Sequence, residues 1–253
     1  MLYNYHAHTP RCNHAIGEER EYVENAIKGG LKILGFSDHA PYIFPEGYQS
    51  TYRMKQEQMH DYAETVRALA KEYEKDIRIL CGFELEYYPD YHKEEIVFLN
   101  QVKPDYLILG QHFLGDERDK YYVYNRQNVD DTFLLAYVTQ TIAGLATGDF
   151  IYLAHPDVAG YHYSEECIQH QYKRLCEAAK KMNIPLEWNL LGTRTNRMYP
   201  DRRFYEIAAK IGNSIILGTD AHKPQDVIDI ESERFALQTI KELGLSLIET
   251  PLL

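Results

Sequence analysis

Seven short apolar runs recur along the chain, each followed by a stretch of helical character, and this alternation limits the possible folds more than any other feature. Most of the runs are continuously apolar, which is typical of parallel strands buried on both faces. The predicted strands are residues 2–6, 33–37, 78–84, 106–111, 151–154, 185–189 and 214–218.

Helices are predicted between and after these strands. They cover residues 17–29, 54–74, 94–102, 129–146, 165–182, 201–211 and 231–243. Several of these stretches end at glycine, which is typical of helix ends. No linker, repeat or low-complexity segment divides the chain. We therefore predict one domain, residues 1–253, of the α/β class, built as a closed parallel (β/α)7 barrel that resembles a TIM barrel.

Composition limits the partners of the chain. Its net charge of −11 argues against nucleic acid, whose binding needs clustered Lys and Arg. A small phosphorylated substrate remains compatible with an acidic chain, because bound cations reverse the local field. We find no signal peptide and no apolar stretch near the roughly 20 residues that span a bilayer. The four cysteines show no CxxC spacing, so we expect a reduced, cytoplasmic protein without a membrane partner.

Histidine, acidic or amide side chains stand at the carboxyl end of every predicted strand. They are His6 and His8, Asp38 and His39, Glu84, Gln111 and His112, His155 and Asp157, Glu187 and Asn189, and Asp220 and His222. His6 and His8 lie two positions apart and so face the same side of a strand. A single histidine at a strand end usually caps a helix or forms a hydrogen bond. Here, however, residues that can bind metal stand at the same end of all seven predicted strands. With His14 in the first loop, the pattern predicts a polynuclear metal site.

The chain resembles the PHP (polymerase and histidinol phosphatase) family and, within it, the histidinol-phosphate phosphatases. The resemblance rests on stretches that follow the family's order along nearly the whole chain. These are HAHTPRCNHA, GFSDHAPY, DYAETVRALAKEYEKDIRILCGFELEYYP, DYLILGQHF, YLAHPD, EWNLLGTRTNRMYP and LGTDAHKPQDV. An HxH pair with a later His, then DH, E, H, H and DxH, is a specific signature.

The family resemblance implies a distorted seven-stranded barrel that holds three divalent ions. It assigns His6, His8, Glu84 and Asp220 to one ion, His14, His39 and His222 to a second, and Glu84, His112 and His155 to a third, with Glu84 bridging. Imidazole and carboxylate ligands accept Zn, Mn or Fe according to supply and geometry, so the sequence leaves the metal open.

The resemblance further implies a phosphomonoesterase that hydrolyses L-histidinol phosphate by metal-assisted attack of water on phosphorus. The expected catalytic residues are Glu84, Asp220, His222 and Asp38. The proton for the leaving alkoxide has three open sources: Asp38, Asp157 or a water on the metals.

The loop after the sixth strand is expected to bind substrate. Arg194 and Arg197 are the candidate phosphate ligands, and Asn189 completes the expected substrate-binding set. Trp188 departs from the Ile or Leu of the family pattern, and Thr195 stands where the family has Lys. These differences concern recognition of the organic group and leave the expected phosphatase chemistry unchanged.

Three alternatives compete with this interpretation. The nearest is a PHP-type phosphoesterase for another small phosphate ester or a short oligonucleotide, because metal ligands specify the reaction and not the alcohol. An amidohydrolase-type barrel also opens with HxH, but it would leave His14, His39 and His222 unexplained. A non-enzymatic PHP-type module that supports a polymerase is the third, although none of the nine ligand positions is degraded. The oligomeric state cannot be read from the sequence.

Overall fold

A parallel β-sheet curls around the centre of the molecule in the computed structural model, which describes residues 1–124, 129–160 and 163–253. Its strands, with a small hairpin, are β1 (Tyr3–Asn4), β2 (Ile33–His39), β3 (Arg78–Leu85), β4 (Tyr106–Leu109), β5 (Phe113–Leu114), β6 (Tyr121–Tyr122), β7 (Leu186–Asn189), β8 (Ser214–Gly218) and β9 (Ser246–Leu247). Strands β1 to β4 are parallel neighbours, and β7, β8 and β9 form a second parallel group.

Two connections join these groups into a barrel. Leu153 forms parallel bridges to Leu109 on one side and to Leu186 on the other. At the opposite seam, Ala7 bridges Ala221 just beyond the ends of β1 and β8. The predicted α/β barrel is therefore confirmed, with seven chain segments in the expected order. The fifth predicted strand, residues 151–154, is reduced to the single bridging residue Leu153, and this makes the barrel distorted.

Helices cover the outside of the sheet. They are α1 (Glu19–Lys28), α2 (Met59–Glu72), α3 (His92–Leu99), α4 (Asp131–Leu145), α5 (Glu165–Met182), α6 (Leu190–Arg194), α7 (Arg202–Ile211) and α8 (Ile230–Leu243). Ser164 caps α5 by accepting a bond from the Cys167 amide, and α7 and α8 end at Gly212 and Gly244 in the left-handed conformation. The sequence did not predict α6, β9 or the hairpin of β5 and β6. None of the helices described is long and apolar enough to cross a membrane.

The barrel interior holds a buried cluster in which one tyrosine makes directed contacts; its members are Tyr5, Ile33, Leu80, Tyr106, Ile108, Tyr152, Ala154 and Ile216. Tyr106 lies on β4, and its hydroxyl donates to the carbonyls of Tyr5 and Phe36 at 2.8 and 3.1 Å. The strands beside it carry glycine: a Cβ on Gly35 would lie 2.2 Å from the Tyr106 hydroxyl, and a Cβ on Gly82 would lie 2.6 Å from its ring. The two glycines thus make room for one large side chain, which closes the barrel below the carboxyl ends of the strands.

We expect Tyr106→Phe to lower the free energy of unfolding by about 1–3 kcal/mol, because it removes a buried hydroxyl that donates to two backbone carbonyls. Denaturant unfolding monitored by circular dichroism measures the change. Tyr73→Phe is the control, because the Tyr73 hydroxyl bonds Arg20 at the exposed surface and its loss should cost less than about 0.5 kcal/mol. Equal losses in the two variants would contradict the role given to Tyr106.

Candidate metal centre at the carboxyl ends of the strands

All nine predicted ligand residues meet at one end of the barrel, around a cavity of about 470 Å³. Six of the nine are buried below 5% exposure, and His14 and His222 are the more accessible members. The predicted ligands that line the cavity are His14, His39, Glu84, His112, His155, Asp220 and His222. His6 and His8 lie beneath them and are fully buried.

Glu84 is the centre of the cluster. Five imidazole nitrogens surround its two carboxylate oxygens. On Oε1 they are His155 Nε2 at 2.8 Å and His112 Nε2 at 3.5 Å; on Oε2 they are His39 Nδ1 at 3.1 Å and the Nε2 atoms of His6 and His8 at 3.6 Å. Because each oxygen faces a different group of imidazoles, the carboxylate can contact two cations at once.

Asp220 forms a second centre on the other side of His6 and His8. Its Oδ1 atom lies 3.6 Å from His6 Nε2, 3.2 Å from His8 Nε2 and 3.3 Å from His222 Nδ1. Asp220 follows β8, whereas His6 and His8 follow β1, so the seam that closes the barrel also assembles this part of the cluster.

A trio of histidines lies towards the cavity mouth. Ligand nitrogens of His14, His39 and His222 all lie within 4.8 Å of one another. The Tyr52 ring packs on this trio, with centroids 5.0 Å from His14 and 4.5 Å from His39. The Tyr52 side chain therefore forms one wall of the cavity, and the sequence did not single it out.

Several donor atoms of the cluster are buried and lack hydrogen-bond partners in the described part of the chain, as is typical of metal ligands. Seven of the buried cluster atoms have no hydrogen-bond partner among the described residues: His6 Nε2, both nitrogens of His8, His39 Nδ1, His155 Nδ1, Glu84 Oε2 and Asp220 Oδ1. Buried polar atoms of native proteins are normally paired, so a cluster of unpaired donor atoms needs an explanation. Imidazole and carboxylate donors at these separations fit divalent cations, and the residues present can therefore hold metal.

The local electrostatics favour the ligand forms of Glu84 and His14 but draw His6 towards its protonated form. Burial by itself raises the pKa of Glu84, but imidazoles, His112 foremost, outweigh it and hold the pKa well below its ordinary value. Burial lowers the pKa of His6, whereas neighbouring carboxylates, Glu187 foremost, raise it well above its ordinary value. Burial and nearby imidazoles lower the pKa of His14 to about 4. The central carboxylate is thus ionised, and the outer imidazole is neutral with a free lone pair.

Glu187 is a buried carboxylate at the site that the ligand prediction left out. It lies 2.7 Å from His6 Nδ1 and accepts the His155 amide and the Asn189 side chain, each at 2.9 Å. Glu187 therefore turns the Nε2 atom of His6 towards Glu84. Its position at the end of a buried strand was the available sequence signal, since a carboxylate buried there needs several partners.

Glycines make room for the carboxylates of Glu84 and Glu187. A Cβ on Gly110 would lie 1.8 Å from Glu84 Oε1, and a Cβ on Gly218 would lie 1.8 Å from Glu187 Oε1. Each glycine is on, or directly beyond, the strand adjacent to its carboxylate. The backbone of these neighbouring segments is therefore shaped around the carboxylates.

Two predicted site residues lie behind the cluster and do not line the cavity. Asp38 accepts the Thr9 hydroxyl and the His39 amide, and its Oδ1 lies 3.4 Å from His8 Nδ1. Asn189 donates to Glu187 and to Asp220, at 2.9 and 3.0 Å. Both are fully buried, so the structure gives them orienting contacts with other site residues and no access to a ligand in the cavity.

Asp157 and Trp188 also lie outside the cavity. Asp157 is buried and accepts the Asp201 amide, and burial raises its pKa to about 7. Trp188 is 2% exposed, packs on Tyr205 with centroids 4.4 Å apart and donates to Thr193. Trp188 does not line the cavity, because Glu187 and Asn189 take the inner face of β7 and alternation turns Trp188 outwards.

The two candidate arginines both line the cavity but differ in their partners. Arg194 lies 3.2 Å from Asp229 and 3.6 Å from Asp226, and it donates to the carbonyls of Thr219 and Asp220. Its charge is thus paired and its two terminal nitrogens donate hydrogen bonds, while its Nε has no hydrogen-bond partner among the described residues.

Arg197 contacts a hydroxyl group and aromatic rings. It donates to the Tyr199 hydroxyl at 2.8 Å, and its guanidinium lies over the rings of Tyr124 and Tyr199. Within residues 1–124, 129–160 and 163–253, no carboxylate lies within ion-pair distance of Arg197. Of the two candidate arginines, Arg197 is therefore the more available to an anion in the cavity.

We expect Gly110→Ala to weaken metal binding, because the new methyl group must displace Glu84. The affinity for at least one divalent ion should fall by about tenfold or more, as measured by chelator competition on protein loaded with zinc. Gly82→Ala is the matched control, since its methyl group meets Tyr106 and no ligand. A Gly110→Ala variant with the parental affinity would mean that Glu84 is not a ligand.

The comparisons with known proteins agree with this geometry. A probable histidinol-phosphatase from Deinococcus radiodurans is 28% identical over 250 residues, which cover 94% of this chain and 92% of that protein. The histidinol-phosphatase of Bacillus subtilis is 32% identical over 117 residues, 43% of each chain.

A solved structure has the same fold. The crystal structure of histidinol phosphate phosphatase from Lactococcus lactis, complexed with zinc, L-histidinol and phosphate, matches with a TM-score of 0.76 at 20% identity, covering 98% of this chain and 95% of that one. The family model described as the PHP domain matches residues 4–190. The match covers most of the chain, which therefore belongs to the PHP domain family.

Proposed function

We propose that this chain is a metal-dependent phosphatase that hydrolyses histidinol phosphate to histidinol and phosphate. One observation carries the proposal: a cluster of unpaired imidazole and carboxylate atoms shares a cavity with the available Arg197 guanidinium. Such a cavity suits an anion that also contacts cations. The names of the Deinococcus and Bacillus relatives, and the histidinol and phosphate bound to the Lactococcus protein, support the choice of substrate.

The nine clustered residues would hold three divalent ions in this proposal. The sets are His6, His8, Glu84 and Asp220; His14, His39 and His222; and Glu84, His112 and His155. Donor atoms within 4.8 Å of one another support the set of His14, His39 and His222 and the core of the first set, His6, His8 and Glu84. Elemental analysis should then find between two and three divalent ions per chain, of Zn, Mn or Fe.

Bound divalent ions would supply an acidified water as nucleophile and positive charge for the phosphate oxygens. The protein adds directed contacts of its own. Arg197 offers charge-assisted hydrogen bonds to a phosphate oxygen, and the Tyr199 hydroxyl fixes the guanidinium. Glu84 and Asp220 would offset part of the charge of the divalent ions, and a dianionic phosphate monoester would offset a further part.

The organic half of the substrate would lie along an aromatic wall. Tyr52, Tyr122 and Tyr199 line the same cavity as the ligands. Their rings present flat faces and polar hydroxyls, which suits a planar imidazole with hydrogen-bonding nitrogens. Trp188 takes no part in this recognition because it packs on Tyr205.

The proton for the leaving alkoxide is assigned here to water. Asp38 and Asp157 were the candidate carboxyl donors, but neither lines the cavity, and both are held by partners behind the ligands. Asp38 instead orients His8, and Asp157 fixes the backbone at Asp201. The cavity volume of about 470 Å³ leaves space for water beside a small substrate.

Phosphate release by the purified, metal-loaded protein tests the proposal. The panel contains histidinol phosphate, other phosphomonoesters, a phosphodiester and a short oligonucleotide, with an acyl amide as the test for amidohydrolase chemistry. We expect histidinol phosphate to have the highest kcat/KM. Preference for another phosphate ester would overturn the substrate and keep the reaction class, whereas hydrolysis of the amide alone would overturn both. Glu84→Gln is the inactive control, with an expected loss of at least about 10²-fold in kcat.

The two arginines should respond differently to removal. Arg197→Ala should raise KM by roughly tenfold or more at unchanged metal content, because it removes a charge-assisted contact worth about 1.5–3 kcal/mol. Arg194→Ala should mainly lower stability, since Arg194 pairs with Asp226 and Asp229. Steady-state kinetics and elemental analysis on the same samples decide this. If both variants keep the parental KM and kcat, phosphate is held without either arginine.

A further inference from the structure

A buried line of charged side chains runs from one imidazole of the metal centre away from the cavity. His112 Nδ1 lies 3.0 Å from Glu86 Oε1, and Arg53 donates to Glu86 Oε2 at 2.8 Å. Arg53 also donates to Glu117 at 2.9 Å. Glu86, Arg53 and Glu117 are at most 4% exposed, and none of them lines the cavity of the metal centre.

The cost of burying these charges calls for an explanation. Removing an ion pair from water costs several kcal/mol per ion before the pair attraction is counted, and apolar residues often serve stability as well. Here one guanidinium lies between two carboxylates, so the group of three carries one net negative charge. The free oxygen of Glu86 faces an imidazole of the metal centre. The excess negative charge of the group is thus placed next to the His112 imidazole.

We propose that Glu86 is a positioning residue for His112 and that Arg53 is the residue that holds Glu86. The Glu86 carboxylate accepts the Nδ1 proton of His112, which leaves the Nε2 lone pair on the side of Glu84, 3.5 Å away. A carboxylate behind a ligand imidazole fixes its tautomer and raises its basicity. The inference rests on the proposed function only in requiring that His112 binds a metal.

Arg53 ties two more parts of the site to the same carboxylate. It donates to the carbonyl of Ala40, the residue after His39, at 3.1 Å. Arg53 also follows Tyr52 in the chain, and the Tyr52 ring packs on His39 and His112 with centroids 4.5 and 5.4 Å away. Arg53 therefore connects Glu86 to the chain segments that carry Tyr52 and His39.

Glu86→Gln tests the proposal, because it keeps the shape of the side chain and removes its charge. We expect the affinity for the most weakly held zinc ion to fall by about 10–100-fold, as measured by chelator competition on the full-length, zinc-loaded protein. Nitrogen-15 NMR of labelled histidine should show a shift or loss of the signal of the His112 Nδ1 proton, because a neutral amide oxygen is a weaker acceptor than a carboxylate. Glu86→Asp, which keeps the charge, should lie between the parental protein and Glu86→Gln, and it replaces that variant if Glu86→Gln does not fold.

Glu117→Gln is the matched control. Glu117 contacts the same guanidinium and the Tyr48 hydroxyl but not His112, so this variant should lose stability and keep the parental zinc affinity and His112 signal. Equal losses of zinc affinity in Glu86→Gln and Glu117→Gln would overturn the proposal, as would an unchanged His112 signal in Glu86→Gln. Failure of the substrate panel with the expected zinc and NMR results would overturn the proposed function and leave this inference standing.

Discussion

One buried carboxylate, Glu84, holds together the functional end of the barrel. Five histidine nitrogens lie within 3.6 Å of its oxygens, and those histidines come from four different parts of the chain besides the strand that carries Glu84. A buried carboxylate needs partners, and the surrounding imidazoles, with any cations bound between them, would supply them. Gly110 leaves the space that this arrangement requires.

A second set of carboxylates lies behind the imidazoles. Glu187 faces His6 Nδ1, Asp38 faces His8 Nδ1 and Glu86 faces His112 Nδ1. In each case the nitrogen that faces the cluster is Nε2 and the carboxylate lies beside Nδ1, within hydrogen-bond distance for His6 and His112 and 3.4 Å away for His8. In the proposed metal centre this arrangement would orient the Nε2 lone pairs and reduce the reorganisation required for binding.

In β7 and the loop after it, residues that are close in sequence have different roles in the structure. Arg194 and Arg197 are three residues apart, yet the first is engaged by two carboxylates and the second rests on two tyrosine rings. Trp188 and Asn189 are adjacent, yet one packs against a helix and the other holds Asp220. The difference lies in what each side chain meets. Asn189 and Arg194 contact carboxylates of the segment beyond β8, whereas Trp188 packs on α7 and Arg197 lies over tyrosine rings.

The order of strands, the barrel class and the clustering of the nine candidate ligand residues were predictable from the sequence. Continuous apolar runs specify buried parallel strands, and the ends of parallel strands must meet at one edge. The sequence could not separate residues that reach the cavity from those behind it: Asp38, Asn189, Glu187 and Glu86 all have ligand-type side chains near strand ends. Only the tertiary structure decided which of these side chains reach the cavity. How far a side chain lies from the cavity depends on strand register and on the space that neighbouring glycines leave. The same reason applies to Arg53, whose partners lie 33 and 64 residues away and become neighbours only when the barrel closes.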